Sequence, residues 1–194
     1  MSEKQPVLDP EGWVDRHGDC MYRFALARLR SPDLAENAVQ EAMLAGFEAK
    51  DGFSGRSSER TWLIGILKRK IYDHFRKSYR ERPIEDVEAA REPTDDLFDE
   101  HGRWKVGPAK WGVATEAATH RAEFWKVLGD CLKGLPDRLS RVFTLREIDD
   151  LDTNEVCKVL SVTETNLWVM MHRARARLRR CMEANWFETE NEKA

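Results

Sequence analysis

The residues best equipped for chemistry in this chain are cations, aromatics and short polar side chains. No nucleophile stands beside a base and an orienting partner. Near the C-terminus, His172, Arg173, Arg175, Arg177, Arg179 and Arg180 crowd into nine positions, where they can reach phosphates or solvent. Just before them lie Glu164, Thr165, Asn166, Trp168 and Val169, types that hydrogen-bond or pack against base edges. A second group mixes Phe53, Trp62, Tyr72 and Tyr79 with Lys68, Arg69, Lys70, His74, Arg76, Lys77, Arg80 and Arg82. Aromatic faces stack on unpaired bases while cations hold the backbone, a chemistry suited to single strands. Asp73 and His74 are neighbours on a helix and so diverge, and no Gly-rich phosphate loop is present. An enzyme is therefore the weakest reading.

The C-terminal residues need two helices to position them. The stretch DTNEVCKVLSVTETNLWVMMHRARARLRR, Asp152 to Arg180, supplies both. Asp152 with Glu155 fits a capping box, and Val156, Val159 and Leu160 follow at helical spacing. Ser161-Val162-Thr163 interrupts the pattern. Thr163 is a good N-cap for a second helix whose inner face is Leu167, Met171, Ala174 and Leu178. That is a helix-turn-helix, whose second helix enters a major groove. The same pattern also describes an ordinary helical hairpin, and terminal arginines can simply complement the helix dipole.

The earlier elements are also helical. Trp13, Val14, Met21, Phe24, Ala25 and Leu29 mark one helix, and Ser31-Pro32-Asp33 ends it. The next runs from Asp33 to about Lys50, with Leu34, Ala38, Ala42 and Phe47 inward. Its other face carries Asp33, Glu36, Asn37, Gln40 and Glu41, either a solvated surface or a dock for a partner. A Gly/Ser loop from Phe53 leads into a helix near Ser58 or Glu59, with the stripe Leu63, Ile66, Leu67, Ile71 and Phe75. Trp62 and Phe53 either fill the core or contact bases. From 83 to 119 the pattern is lost, and the first half of this linker is acidic. Phe98, Trp104 and Trp111 suit docking on a neighbouring domain or a partner. Helical pattern resumes near Glu116 with Phe124, Val127, Leu128, Cys131 and Leu132, then Leu139, Val142, Phe143, Leu145 and Ile148 up to Asp150. Cys181, Met182, Trp186 and Phe187 form an apolar tail.

These signals predict an all-α chain of two small helical domains, 11–82 and 120–187, joined by a long acidic linker. Its 194 residues suffice for that, and the sparse Pro and Gly agree with it. The net charge of −3 does not itself point to nucleic acid, but two basic patches flanking an acidic spacer suit contact with a polyanion at two points. Cys20, Cys131, Cys157 and Cys181 have no zinc-ligand spacing. They read as reduced, structural thiols of a cytosolic protein, with Cys157 buried between close helices. Neither a secretory signal nor a membrane span is visible, so a cytoplasmic location without membrane insertion is expected, and no cofactor is implied.

Five motifs in order then resemble one family. DLAENAVQE (33–41), FSG (53–55) with RTWL (60–63), DHFR (73–76), LPDR (135–138) with LRE (145–147), and HRAR (172–175) with Arg177-Leu178 together resemble the extracytoplasmic-function (ECF) sigma factors of bacterial RNA polymerase. The resemblance covers nearly the whole chain. It implies a non-enzymatic subunit that binds core polymerase through Asp33, Glu36, Asn37, Gln40 and Glu41. It implies capture of a flipped base of the −10 element by Phe53, Ser54, Gly55, Arg56, Ser57 and Ser58. Arg60, Trp62, Lys68, Arg69, His74, Arg76 and Lys77 would border the melting duplex. The second helix of the helix-turn-helix would read the −35 element, with Asn166 suited to an adenine edge and Thr165 and Arg173 next. The linker would thread toward the RNA exit path.

One segment and one single residue depart from the family pattern. Trp168-Val169-Met170-Met171 replaces a more basic segment, which favours apolar contact with a thymine methyl group. Ser161 stands where a turn glycine is frequent. The tail CMEANWF resembles a subgroup paired with zinc-binding anti-sigma factors, so the resemblance implies such a partner. The alternative function is a free-standing dimeric helix-turn-helix regulator, against which the N-terminal motifs argue.

Overall fold

The computed structural model describes residues 8–81 and 122–187, which fall into two separate helical units. The acidic linker, including Phe98, Trp104 and Trp111, lies outside the described residues, as does Arg82. Among the described residues there is no strand, and none of the helices is long and apolar enough to cross a membrane.

The first unit is three helices, α1 (Trp13–Leu29), α2 (Pro32–Ala49) and α3 (Glu59–Glu81), preceded by a 3-10 turn at Pro10–Gly12. Arg30 takes the left-handed conformation (φ 56°) and closes α1. Ser31 then caps α2, its hydroxyl accepting from the Leu34 N–H, and Pro32 occupies the first turn, where no intrahelical N–H is needed. Met21, Ala25, Leu63, Leu67 and Ile71 have no exposed surface, and Phe75 has 2%. Burial of each large side chain stabilises the unit by about 1.5–3 kcal/mol. Gly46 lets α2 approach closely. A Cβ there would lie 3.0 Å from Leu63 and 3.2 Å from the Trp13 ring.

Two expected inward residues point out. Val14 is 65% exposed and Phe47 50% exposed. The inner face of α2 is made instead by Ala35, Ala38, Val39, Ala42 and Gly46. Small residues bring the backbones together and leave no room for a phenyl ring, so Phe47 lies outward with the Lys50 ammonium 4.0 Å above it.

The second unit contains α4 (Ala122–Gly134), α5 (Asp137–Phe143), α6 (Thr153–Leu160) and α7 (Glu164–Met182). The helix expected to run to Asp150 stops at Phe143. It widens into a π turn, Thr144–Ile148, closed by the Asp149 N–H donating to the Thr144 carbonyl. The wider turn shifts the register, so Leu145 is buried whereas Ile148 is 44% exposed. Leu139, Val142, Val156, Val159, Leu160, Leu167, Met171 and Ala174 make the core, and Trp186 of the following π turn packs edge-on against Phe124.

The reading of four free thiols is corrected. Cys131 of α4 and Cys181 of α7 form a disulfide, their Cα atoms 5.8 Å apart across a sequence separation of 50. Cys20 and Cys157 are free and half-buried, so Cys157 is not the fully buried residue expected from its helix. Packing of α4 against the end of α7 creates the pair, and nothing in local spacing announces it.

Candidate nucleic-acid interface

The helix-turn-helix forms as its caps require. The Asp152 carboxylate accepts from the Glu155 N–H at 2.8 Å, and Glu155 accepts in return from the Asp152 N–H at 3.2 Å. The turn passes through Ser161 at φ 52°, the left-handed conformation that a glycine would enter without strain. Thr163 then caps α7, accepting from the Asn166 N–H. These bonds fix where α7 starts, and therefore which residues its first two turns present. Leu167, Met170 and Met171 are buried, which leaves Glu164, Thr165, Asn166, Trp168 and Val169 exposed together.

Trp168 stands 45% exposed with its indole N–H donating to Glu164 at 3.3 Å. The bond steers the indole along the first turn and occupies part of the carboxylate. Further on, His172, Arg173, Arg175 and Arg177 are half-buried. Arg175 is tied to Glu147 at 2.6 Å, so this cation fastens α7 to the π turn rather than reaching freely into solvent. Glu147 belongs to the LRE segment, and its pairing with HRAR gives both motifs a structural task. The Cys157 thiol is pushed up by burial and then by the Glu164 charge, the reverse of what a reactive cysteine needs.

In the first unit, Lys50–Gly52 forms a 3-10 turn that leads into the loop from Phe53 to Ser58. Gly55 takes φ 68°. Ser54, Arg56, Ser57 and Ser58 are exposed. Ser58 also caps α3, its hydroxyl accepting from the Thr61 N–H at 3.1 Å, so the loop ends at a fixed point. Trp62, half-buried, packs at 5.2 Å centroid distance on Phe53 and at 6.0 Å on Trp13. The alternatives of core filling and open contact therefore meet in one residue: Trp62 joins an aromatic row and keeps exposed surface.

Arg69 and Arg76 follow Trp62 at seven-residue steps along α3, and so share its face. Arg60, Arg69 and Lys77 are exposed. Others are engaged inside the unit. Lys70 lies 3.8 Å from Glu41, Arg76 pairs with Asp73, Lys68 lies 5.9 Å over the Phe24 ring, and His74 meets Phe75 edge-on.

Asp33, Glu36, Asn37, Gln40 and Glu41 are all exposed on α2. The sequence reading missed that Leu44 (61% exposed) and Phe47 continue this stripe. The signal was available: 33, 36, 37, 40, 44 and 47 fall on one side of a helix, opposite the run of small residues.

Among the described residues, no group of three His, Cys, Asp or Glu side chains is placed to hold a metal ion.

Comparison with known proteins decides the family. Residues 13–81 match Sigma-70 region 2, and residues 126–178 match Sigma-70, region 4. A probable RNA polymerase sigma factor of Haemophilus influenzae is 34% identical over 167 residues, 84% of each chain. The chain belongs to the sigma-70 family of RNA polymerase sigma factors. Its relatives include the ECF RNA polymerase sigma factors SigM (24% identical, 82% of this chain and 86% of the relative) and SigX (27%, 87% and 81%) of Bacillus subtilis. It is a sigma factor of the ECF type, which binds RNA polymerase and promoter DNA and directs promoter-specific transcription initiation.

Proposed function

We propose that this sigma factor divides promoter recognition between its two units as the motifs imply. Glu164, Thr165, Asn166, Trp168, Val169, His172, Arg173 and Arg177 read the −35 element. The observation that carries this is the exposed cluster at the N-terminus of α7, set by two satisfied caps. Asn166 is suited to adenine, and the paired Trp168 and Val169 to a thymine methyl. Arg175 acts through its tie to Glu147, holding α7 in place.

The unpaired −10 strand is taken by the loop Phe53 to Ser58 and by Trp62, with Arg60, Arg69, Arg76 and Lys77 along its path and Lys68 and His74 at the margin. Support comes from the exposed loop and from the Phe53–Trp62 contact beside it. The exposed stripe of α2 docks core polymerase: Asp33, Glu36, Asn37, Gln40 and Glu41 give polar contacts, while Leu44 and Phe47 add apolar anchors. The protein acts in the cytoplasm without a catalytic step of its own. An anti-sigma factor, of the zinc-binding kind that the CMEANWF tail implies, restrains it.

Run-off transcription with bacterial core polymerase on a library of promoter-like duplexes tests the assignment. Transcripts that depend on this protein give its motif. Asn166→Ala and Arg173→Ala then lower −35-dependent transcription by roughly tenfold or more, as expected for losing a base or phosphate contact, with core binding kept. Normal transcription by both variants would overturn the placement of the recognition helix.

A further inference from the structure

Glu59, the first residue of α3, draws together donors that lie far away in sequence. Its Oε1 accepts from the Trp13 indole at 2.6 Å and from the Asp9 backbone N–H at 3.1 Å. Its Oε2 meets His17 Nε2 at 2.9 Å and the Arg16 guanidinium at 3.2 Å. Arg16 also pairs with Asp9 at 3.1 Å. The carboxylate is only 20% exposed, and it sits where a helix N-terminus favours an anion. Burial pushes its carboxyl up, but the bonds from His17, Trp13 and the Asp9 amide and the charge of Arg16 together outweigh this and hold it below the usual carboxylate range.

The Trp13 ring is the next link. It is 2% exposed, and its benzo edge lies over Gly46, where a Cβ would come within 3.2 Å. It meets Trp62 in an edge-to-face contact, and Trp62 in turn meets Phe53. A fixed carboxylate therefore pins Trp13 at its nitrogen, Trp13 backs Trp62, and Trp62 backs the loop. A simple tie between α1 and α3 would need only the ion pair with Arg16 or His17. The shortest bond goes instead to the indole that supports the partly open aromatic pair.

We propose that Glu59 is a positioning residue for capture of the unpaired −10 strand, acting through Trp13 to hold Trp62 and Phe53 in a receptive arrangement. This rests on the assignment of that loop to the unpaired strand. Preorganising an aromatic surface removes the cost of ordering it at the moment of binding.

The test uses the full chain assembled with bacterial core polymerase. The probe is a fluorescent single-stranded oligonucleotide carrying the non-template −10 sequence of a promoter that the holoenzyme transcribes. Glu59→Ala should weaken strand binding about tenfold, the scale of one lost charge-assisted hydrogen bond. Core affinity and binding to a −35 duplex should stay unchanged. Glu59→Gln, which keeps an acceptor for the indole, should restore most of the loss. Trp13→Phe, which keeps an aromatic side chain in the core but lacks the indole N–H and part of the indole's bulk, should reproduce the defect in a folded protein, and it decides the question if Glu59→Ala fails to fold. Trp62→Ala is the control for the underlying assignment. If it binds the strand normally, the assignment of the loop fails. If it loses binding while Glu59→Ala and Trp13→Phe bind like the parent, Glu59 merely fastens two helices and the proposal is overturned.

Discussion

Single residues set the geometry at two points where this chain departs from the simplest choice. At Ser161 the backbone is left-handed, which costs an ordinary residue about 1–2 kcal/mol, while glycine adds back roughly 0.5–1 kcal/mol of lost chain freedom. Ser161→Gly should thus stabilise the C-terminal unit by about 0.5–1 kcal/mol, seen as a small rise in Tm, and should leave promoter choice alone. A fall in Tm would mean that the serine side chain contributes something the backbone argument omits. Glu59 is the second point. Its folded carboxyl lies below its unfolded value, so its contribution to stability is complete above the unfolded carboxylate range and is lost as pH falls through the lower folded value. The groups facing it are His17, Arg16, Trp13 and Asp9. Acid titration of the wild type and Glu59→Gln should show their stabilities converging as pH falls below the usual carboxylate range. Curves that stay parallel would place the acid sensitivity elsewhere.

At the scale of elements, α2 shows what the sequence carried and what it hid. The helix, the break that precedes it at Ser31-Pro32-Asp33 and its polar face were legible because proline positions and 3.6-residue periodicity are local, while the Ser31 cap emerged only in the structure. The direction of Phe47 was not. Its place in the apolar pattern looked inward, but the close contact of α2 with Trp13 and Leu63 at Gly46 is a tertiary fact, and it expels the ring. The π turn at Thr144–Ile148 was hidden for the same reason, since an apolar run does not reveal whether the helix keeps its register. The caps of α6 and α7, by contrast, stood in the sequence as Asp152, Glu155 and Thr163 and formed as read. The outward turn of Phe47 gives a prediction about the whole α2 stripe. Leu44→Ala and Phe47→Ala should each weaken core polymerase binding by roughly tenfold, as apolar anchors ringed by polar residues do, without altering the melting temperature. Unchanged affinity in both would remove the apolar end of α2 from the dock. A drop in Tm would mean that these side chains help hold the unit together.

Across the whole chain, division into two helical units followed from composition and the two islands of periodicity, and the order of motifs led to the family that the comparisons established. The disulfide did not follow, because a pair 50 residues apart depends on how α4 meets the end of α7, and neither helix records that alone. A cross-link closing so long a loop restricts the unfolded chain, and the loop-entropy relation gives about 4 kcal/mol as the upper scale of its effect. Phe124 and Trp186 already join the same two ends by packing, so the fold should survive without the bond. Reductant should therefore lower the thermal stability of the C-terminal unit by about 10 °C or more while leaving its helix content at room temperature intact. Cys131→Ala with Cys181→Ala should show the lower value from the start and ignore reductant. Cys20 and Cys157 are free, so a reductant effect that persists in the double variant would have to arise outside this pair. The N-terminal unit holds no disulfide among its described residues, and its melting should be the same in both conditions.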